Sequence, residues 1–248
     1  MKSVRITLAV LLTATTLYAG PPFVTDDPAP VELHHWELYL ASQLTRNADG
    51  SAGTLPHIEI NYGVVSDVQL HLIVARAFNR PPGGPTDNGL GDIEAGVKLR
   101  FIQESNGRSM AGIFPMLEIP TGSESRGLGS GHLQAFLPIW LQKSWNEWTS
   151  YGGGGYFINP GDGHRNYWLA GWEIQRTINN HLFLGGELFG TTPDVEGSEG
   201  RLNFSAGGQI DLNSLHHVLF SAGRSISGDS KFQAYFGYQL TFGPKTHE

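Results

Sequence analysis

The chain has 248 residues, no cysteine, 33 glycines and 16 % charged residues, with 16 basic against 23 acidic side chains. That acidic balance argues against a nucleic-acid ligand and against a polybasic membrane-surface binder. Past the N-terminus no stretch reaches the roughly 20 apolar residues that a membrane helix needs, and the lack of cysteine suits a compartment where stray disulfides are a hazard.

Residues 1–19 read as a secretory signal peptide. Lys2 and Arg5 form a basic start, Ile6 to Leu17 an apolar core too short to span, and Leu17-Tyr18-Ala19 a cleavage site. Its removal leaves 14 basic against 23 acidic residues, a balance of −9. Residues 20–31 then hold four prolines and the pair Asp26-Asp27. Proline cannot donate to a sheet ladder, so this segment is an extended arm, either hanging in the periplasm or folded into a lumen. Two adjacent carboxylates are ordinarily solvated rather than metal-bound.

From residue 32 to residue 248 one design repeats: period-two alternation, which gives a strand one apolar and one wet face. In the first such segment Trp36, Leu38, Leu40 and Leu44 alternate with Glu37, Tyr39, Ala41 and Gln43. Ile58, Ile60 and Tyr62 alternate with His57, Glu59 and Asn61, and Val68, Leu70, Leu72 and Val74 with Gln69, His71, Ile73 and Ala75. The fourth segment is the sharpest. Ile93, Ala95, Val97, Leu99 and Phe101 oppose Asp92, Glu94, Gly96, Lys98 and Arg100, a pattern that in a helix would scatter charge around the whole circumference.

In the fifth segment Ala111, Ile113, Pro115, Leu117 and Ile119 oppose Phe114, Met116 and Glu118, and Pro115 marks a bulge or a break in the ladder. Leu133, Ala135, Leu137, Ile139 and Leu141 alternate with Gln134, Phe136, Pro138, Trp140 and Gln142. Trp148 to Ile158 is a strand weakened by Gly152 to Gly155, and alternation does not decide its facing. The eighth segment sets Trp168, Ala170, Trp172 and Ile174 against Gly171, Glu173 and Gln175. The ninth sets Leu182, Leu184 and Leu188 against Phe183 and Glu187, and the tenth sets Leu202, Phe204, Ala206 and Ile210 against Asn203, Ser205 and Gln209. Val218, Phe220 and Ala222 form a short eleventh. The last places Phe232, Ala234, Phe236, Tyr238, Leu240 and Phe242 opposite Gln233, Tyr235, Gly237, Gln239 and Thr241. It is about the ten residues long that a tilted strand needs to cross a bilayer.

Connections alternate between short ones, near Ser66, Asn106, Asn146, Asn179 and Asn213, and longer ones, near Asp49, Gly84, Gly127, Gly161, Val195 and Gly228. That is the periplasmic-turn and extracellular-loop asymmetry of outer-membrane barrels. Trp36, Tyr62, Phe78, Phe101, Trp148, Trp168 and Phe242 fall near strand ends, where an aromatic girdle belongs. A soluble lipocalin-like barrel would need an apolar interior, and this inner set carries too many charges for a dry core. The expected fold is therefore all-β: a transmembrane antiparallel β-barrel of about twelve strands in an up-and-down meander, sited in the bacterial outer membrane.

The segments PFVTDDPAPVELHHWEL (from Pro22), YGVVSDVQLHL (Tyr62 to Leu72), GLGDIEAGVKLRF (Gly89 to Phe101) and LEIPTG (Leu117 to Gly122) resemble a bacterial outer-membrane family named for the MetA pathway of phenol degradation. They cover the first half of the chain; the second half is similar only in strand rhythm and glycine content. The resemblance implies a barrel that is transporter-like.

No catalytic motif stands out, and neither an enzyme nor a cofactor or metal site is expected. The ten histidines are scattered or in doublets, His34-His35 and His216-His217. Selectivity would reside in the inward set Glu37, Glu59, Asp92, Glu94, Lys98, Arg100, Glu118, Glu173 and Glu187. These residues form either a polar conduit with an acidic bias or an internal network pairing Asp92 and Glu94 with Lys98 and Arg100. The expected function is a channel or transporter for uptake of small, hydrophobic or aromatic molecules. The alternatives are a plugged, non-conducting barrel with a structural or receptor role and, less favoured, a lipid hydrolase. The expected partners are the lipid bilayer, a small-molecule substrate and the barrel-assembly machinery, the last through the C-terminal strand.

Overall fold

The computed structural model describes residues 21–229 and 231–244; the expected signal peptide lies outside them. Twelve antiparallel strands form one closed barrel. They are β1 (Trp36–Asn47), β2 (Gly50–Val65), β3 (Val68–Arg80), β4 in two segments (Asp87–Leu90 and Ile93–Ile102) and β5 in two segments (Met110–Ile113 and Met116–Ile119). Then follow β6 (Gln134–Trp145), β7 (Trp148–Ile158), β8 (Tyr167–Asn179), β9 (Leu182–Thr191), β10 (Arg201–Asp211), β11 (His216–Ser227) and β12 (Phe232–Phe242). Each pairs with the next, and β12 returns to β1 with Trp36 opposite Phe242 and Leu44 opposite Ala234. Closure leaves no strand edge to be satisfied by lipid, which offers no hydrogen-bond partner.

The alternation sorts side chains as a membrane barrel requires. Leu70, Val97, Leu137 and Phe236 are 45, 41, 52 and 62 % exposed on the outer face, whereas Glu59, Glu94, Lys98 and Gln239 are 4, 6, 5 and 6 % exposed inside. The ring of Trp36 stacks on Tyr62 at 4.3 Å, and Phe242 lies opposite Trp36, so the rim that carries the short turns has an aromatic anchor. At the other rim Tyr156 packs on Trp168 at 5.0 Å.

Three local features differ from the sequence pattern or sharpen it. First, β1 and β2 run on through the expected loop near Asp49, so that connection is the tight turn at Ala48-Asp49 between strands of 12 and 16 residues. The pattern hid this because β2 carries an irregularity between Thr54 and His57, where Leu55 and Pro56 interrupt the alternation. Second, Pro115 does split β5, between Ile113 and Met116. Third, the glycine run of β7 acquires a facing: Tyr151 and Phe157 are buried inside, and Gly152, Gly153 and Gly155 between them lie under neighbouring rings. A Cβ on Gly155 would sit 2.6 Å from the inward ring of Phe136, and one on Gly152 would sit 2.4 Å from the outward indole of Trp172.

Val97 lies on the lipid face in the middle of β4. Val97→Arg is expected to lower the unfolding free energy by about 2–4 kcal/mol, as cations do near the bilayer midplane. Guanidinium unfolding in phospholipid vesicles, followed by tryptophan fluorescence, measures it. A loss below about 0.5 kcal/mol would remove Val97 from the lipid face.

Candidate functional site

The lumen is occupied by the N-terminal arm. It enters beside β9 to β11, crosses the barrel to β4, and leaves past the β2–β3 turn. The Val24 and Thr25 amides donate to the Glu187 carboxylate at 2.9 and 2.7 Å, and the Ser221 hydroxyl donates to the Pro22 carbonyl. Midway, Asp26 Oδ1 meets Lys98 Nζ at 3.0 Å, and Asp27 approaches the same ammonium at 4.0 Å. The Val31 amide donates to Gln69 Oε1 at 2.9 Å, and the His34 amide to the Gly63 carbonyl at 2.6 Å. Prolines suit this path: the arm fits the lumen without joining a sheet ladder, the Val24, Thr25 and Val31 amides find partners on the wall, and those of Asp27 and Ala29 on carboxylates of the arm itself.

Phe23, Thr25 and Asp26 are 3, 0 and 1 % exposed. The expectation that Asp26 would be solvated is thus corrected, because the arm carries it into the barrel to Lys98. Burial pushes the Asp26 carboxyl up to about 6, outweighing the opposing pull of the Lys98 ammonium. In a buried ion pair desolvation opposes the Coulombic attraction, so the contact specifies where the arm sits.

The expected pairing of Asp92 and Glu94 with Lys98 and Arg100 does not form. Glu94 accepts from His71 Nε2 at 2.9 Å, in a buried group where the Asn61 amide also donates to Glu59 at 2.8 Å and His57 Nε2 stands 3.8 Å from Glu59. Arg100 reaches down to Asp67 of the β2–β3 turn, with Nη2 to Oδ1 at 2.6 Å. Asp92 sits at the opposite end, between the two segments of β4. There it accepts from the Gly122 amide at 2.8 Å and from the Ser130 amide and hydroxyl at 2.6 and 2.7 Å. It thereby ties down the β5–β6 loop, whose Leu128 is only 2 % exposed. Glu94 and Lys98 are buried and Asp92 and Arg100 half-buried, and their separation along β4 gives each a different neighbour.

The remaining inward candidates are spread around the wall. Glu37 accepts from the Tyr39 hydroxyl at 2.7 Å, and Glu118 is half-buried opposite Glu94 in the β4–β5 ladder. Glu173 and Glu187 face each other across β8 and β9 and are 0 and 4 % exposed.

One sector of the lumen is apolar. Phe114, Met116, Phe136, Trp140, Phe157, Tyr167 and Leu169 form a continuous inner cluster with Val24 of the arm packed on it. The rings of Phe136, Phe157 and Tyr167 stack in series across β6, β7 and β8, with centroids 4.1 and 4.6 Å apart. The inner face, whose charge as a whole is too high for a dry core, is therefore not polar throughout. The sequence signal of this sector was Phe136, Pro138 and Trp140 filling the inner positions of β6, so that both faces of that strand are apolar. Below the arm, open toward the short-turn rim, lies a cavity of about 590 Å³ bounded by Asp26, Glu37, Glu59, Lys98, Phe114 and Tyr151 among others.

A closed twelve-stranded barrel with an apolar exterior, aromatic rims and a polar-to-amphipathic lumen is an outer-membrane β-barrel. No protein-family model matches the chain, and no curated protein matches it in sequence. Solved structures do match in fold. The COG4313 outer membrane channel from Pseudomonas putida F1 superposes with a TM-score of 0.71 at 13 % identity, over 87 % of this chain and 98 % of that one. The KdgM porin in complex with disordered oligogalacturonate gives 0.57 at 10 % identity, over 83 and 99 % of the two chains. The NanC porin gives 0.57 at 6 % identity, over 82 and 98 %.

Lys98→Met strands Asp26 in the barrel without a cation and is expected to weaken arm docking by about 3–5 kcal/mol. Because the chain has no cysteine, a single Thr25→Cys change reports on the arm through labelling by a membrane-impermeant maleimide. Labelling should be slow in the Thr25→Cys protein and fast when Lys98→Met is added. Adding Asp26→Asn as well should restore part of the protection. Equal rates in all three would show that the ion pair does not seat the arm.

Proposed function

We propose that the protein is an outer-membrane channel for small molecules with an apolar or aromatic body, and that the N-terminal arm is its gate. The observation that carries this is the apolar lumen sector, with Val24 of the arm lying against it. An inner wall of stacked rings has no role in a purely aqueous pore. In a channel it offers dispersion and stacking contacts to a passing aromatic solute once the arm has moved. The arm is held by the contact of Lys98 with Asp26 and Asp27 and by a few backbone hydrogen bonds, so it can be displaced without unpairing any strand. The barrel likeness to channels and porins is in keeping with this role. The ligand of the KdgM porin, oligogalacturonate, is an acidic polymer, and the excess of carboxylates in this lumen argues against a similar ligand here. The last strand, ending on Phe242, is the segment we propose is read by the assembly machinery.

A plugged, non-conducting barrel is the second reading, and the depth at which the arm is buried favours it. Planar-bilayer recording separates the two. Ion current through the Lys98→Met protein should exceed that of the wild type several-fold, and 2-phenylethanol should interrupt it at lower concentration than glucose. Absence of current in both proteins would establish the plugged barrel. Equal block by the two solutes would remove the apolar sector from recognition.

A further inference from the structure

We infer that the lumen cavity takes amines with an apolar body, arylalkyl or alkyl ammonium compounds, rather than aromatic acids or neutral aromatics. The route of such a solute to the cavity rests on the channel function proposed above; its binding does not. The cavity of about 590 Å³ is bounded by the carboxyl groups of Asp26, Asp27, Glu32, Glu37, Glu59 and Glu94, by a single lysine, Lys98, and by His71 and His217, which lie against Glu94 and Asp211. Lys98 is engaged by Asp26, and Glu94 is engaged by His71. The hydrogen bond to Glu37 comes from a neutral hydroxyl, that of Tyr39. The wall is therefore short of positive charge.

The second observation is Glu173. It is 0 % exposed, and neither of its carboxyl oxygens has a hydrogen-bond partner among the described residues. The side chain lies along the inner wall over Gly185, where a Cβ would stand 2.2 Å from Oε1. Gly185 pairs with Gln175, and Phe183 follows on the same face; Gln175, Phe183 and Tyr151, the register partner of Glu173, all bound the cavity. The carboxyl thus points toward the cavity from just behind its wall. A buried carboxylate without a partner is unfavourable, and a cation brought beside it offsets that cost.

The identity of the cation follows from the rest of the lining. No group of three or more carboxylate or histidine side chains among the described residues is placed to hold a metal ion. The cavity does show how it accommodates an ammonium: Lys98 Nζ lies 3.0 Å from Asp26 Oδ1 and 4.9 Å from the centroid of the Phe114 ring. Carboxylate on one side and an aromatic face on the other is the recognition geometry of an organic ammonium. Phe114 and Met116 also belong to the apolar sector. An amine with its head among the carboxylates can therefore rest its body on that cluster, whereas an aromatic carboxylate in the same pose meets like charge.

The test is calorimetric titration of the full-length folded barrel with phenethylammonium, phenylacetate and 2-phenylethanol. Phenethylammonium should bind at least tenfold more tightly than either of the others. Glu173→Gln and Glu37→Gln should each weaken the amine several-fold and leave 2-phenylethanol unchanged. Heat-modifiability on a gel confirms that each variant is folded, and Glu37, nearer the open rim, serves if Glu173→Gln does not fold. Phenylacetate or 2-phenylethanol binding as tightly as the amine, or folded variants that keep wild-type amine affinity, would overturn the proposal. Amine binding in a barrel that carries no current would uphold this site while refuting the channel.

Discussion

Everything in this molecule depends on the fact that a hydrocarbon environment cannot hydrogen-bond a backbone. Each strand must find two neighbours, and the last must find the first. The β1–β12 ladder, from Trp36 opposite Phe242 to Arg46 opposite Phe232, meets that demand over eleven consecutive pairs. Once the sheet is closed, alternation has only one meaning: one face is lipid and the other is lumen. The charged residues of β4 then have nowhere to go but inward, and the apolar residues between them nowhere but outward.

Closure creates a second problem, because the interior must be filled or hydrated. Here it is filled from outside the sheet. A proline-rich arm threads the lumen and supplies amide donors to one wall carboxylate, Glu187. Glu187 takes two arm amides and the Ser205 hydroxyl, so this buried carboxylate is stabilised by neutral donors rather than by a counter-ion. Lys98 is the reciprocal case, a wall cation met by an arm carboxylate. Arm and wall are thus complementary in chemistry while sharing no strand pairing inside the lumen.

The lumen is divided by height. At the loop end Asp92 holds the β5–β6 loop inward by accepting three hydrogen bonds, and Leu128 is buried beneath it. The middle holds the arm and the ring stack of β6 to β8. The short-turn end is a wide polar cavity with an excess of carboxylates. A solute crossing this barrel would meet an apolar surface and an acidic one in succession. The channel function proposed above would use those two surfaces on an amphipathic cargo.

The sequence by itself determined the strand count and the face of each residue in the regular segments, because strand facing is a local property with period two; the turn-versus-loop asymmetry it marked fails at Ala48-Asp49, where the expected longer loop is a tight turn. It also marked the break at Pro115, since proline removes a ladder donor wherever it stands. It could not determine partners within the lumen. Lys98 and Glu94 share a face with Asp92 and Arg100, yet each meets a side chain from a different part of the chain: Asp26 for Lys98, His71 for Glu94, backbone amides of a loop for Asp92 and the β2–β3 turn for Arg100. Nor could it say that Phe136, Phe157 and Tyr167 stack, because that depends on the register of β6 to β8. The place of the arm was decided only by tertiary structure. A segment with no hydrogen-bonding period carries no local sign of where it lies, and its position follows from the cavity that the closed sheet leaves and from the charges that line it.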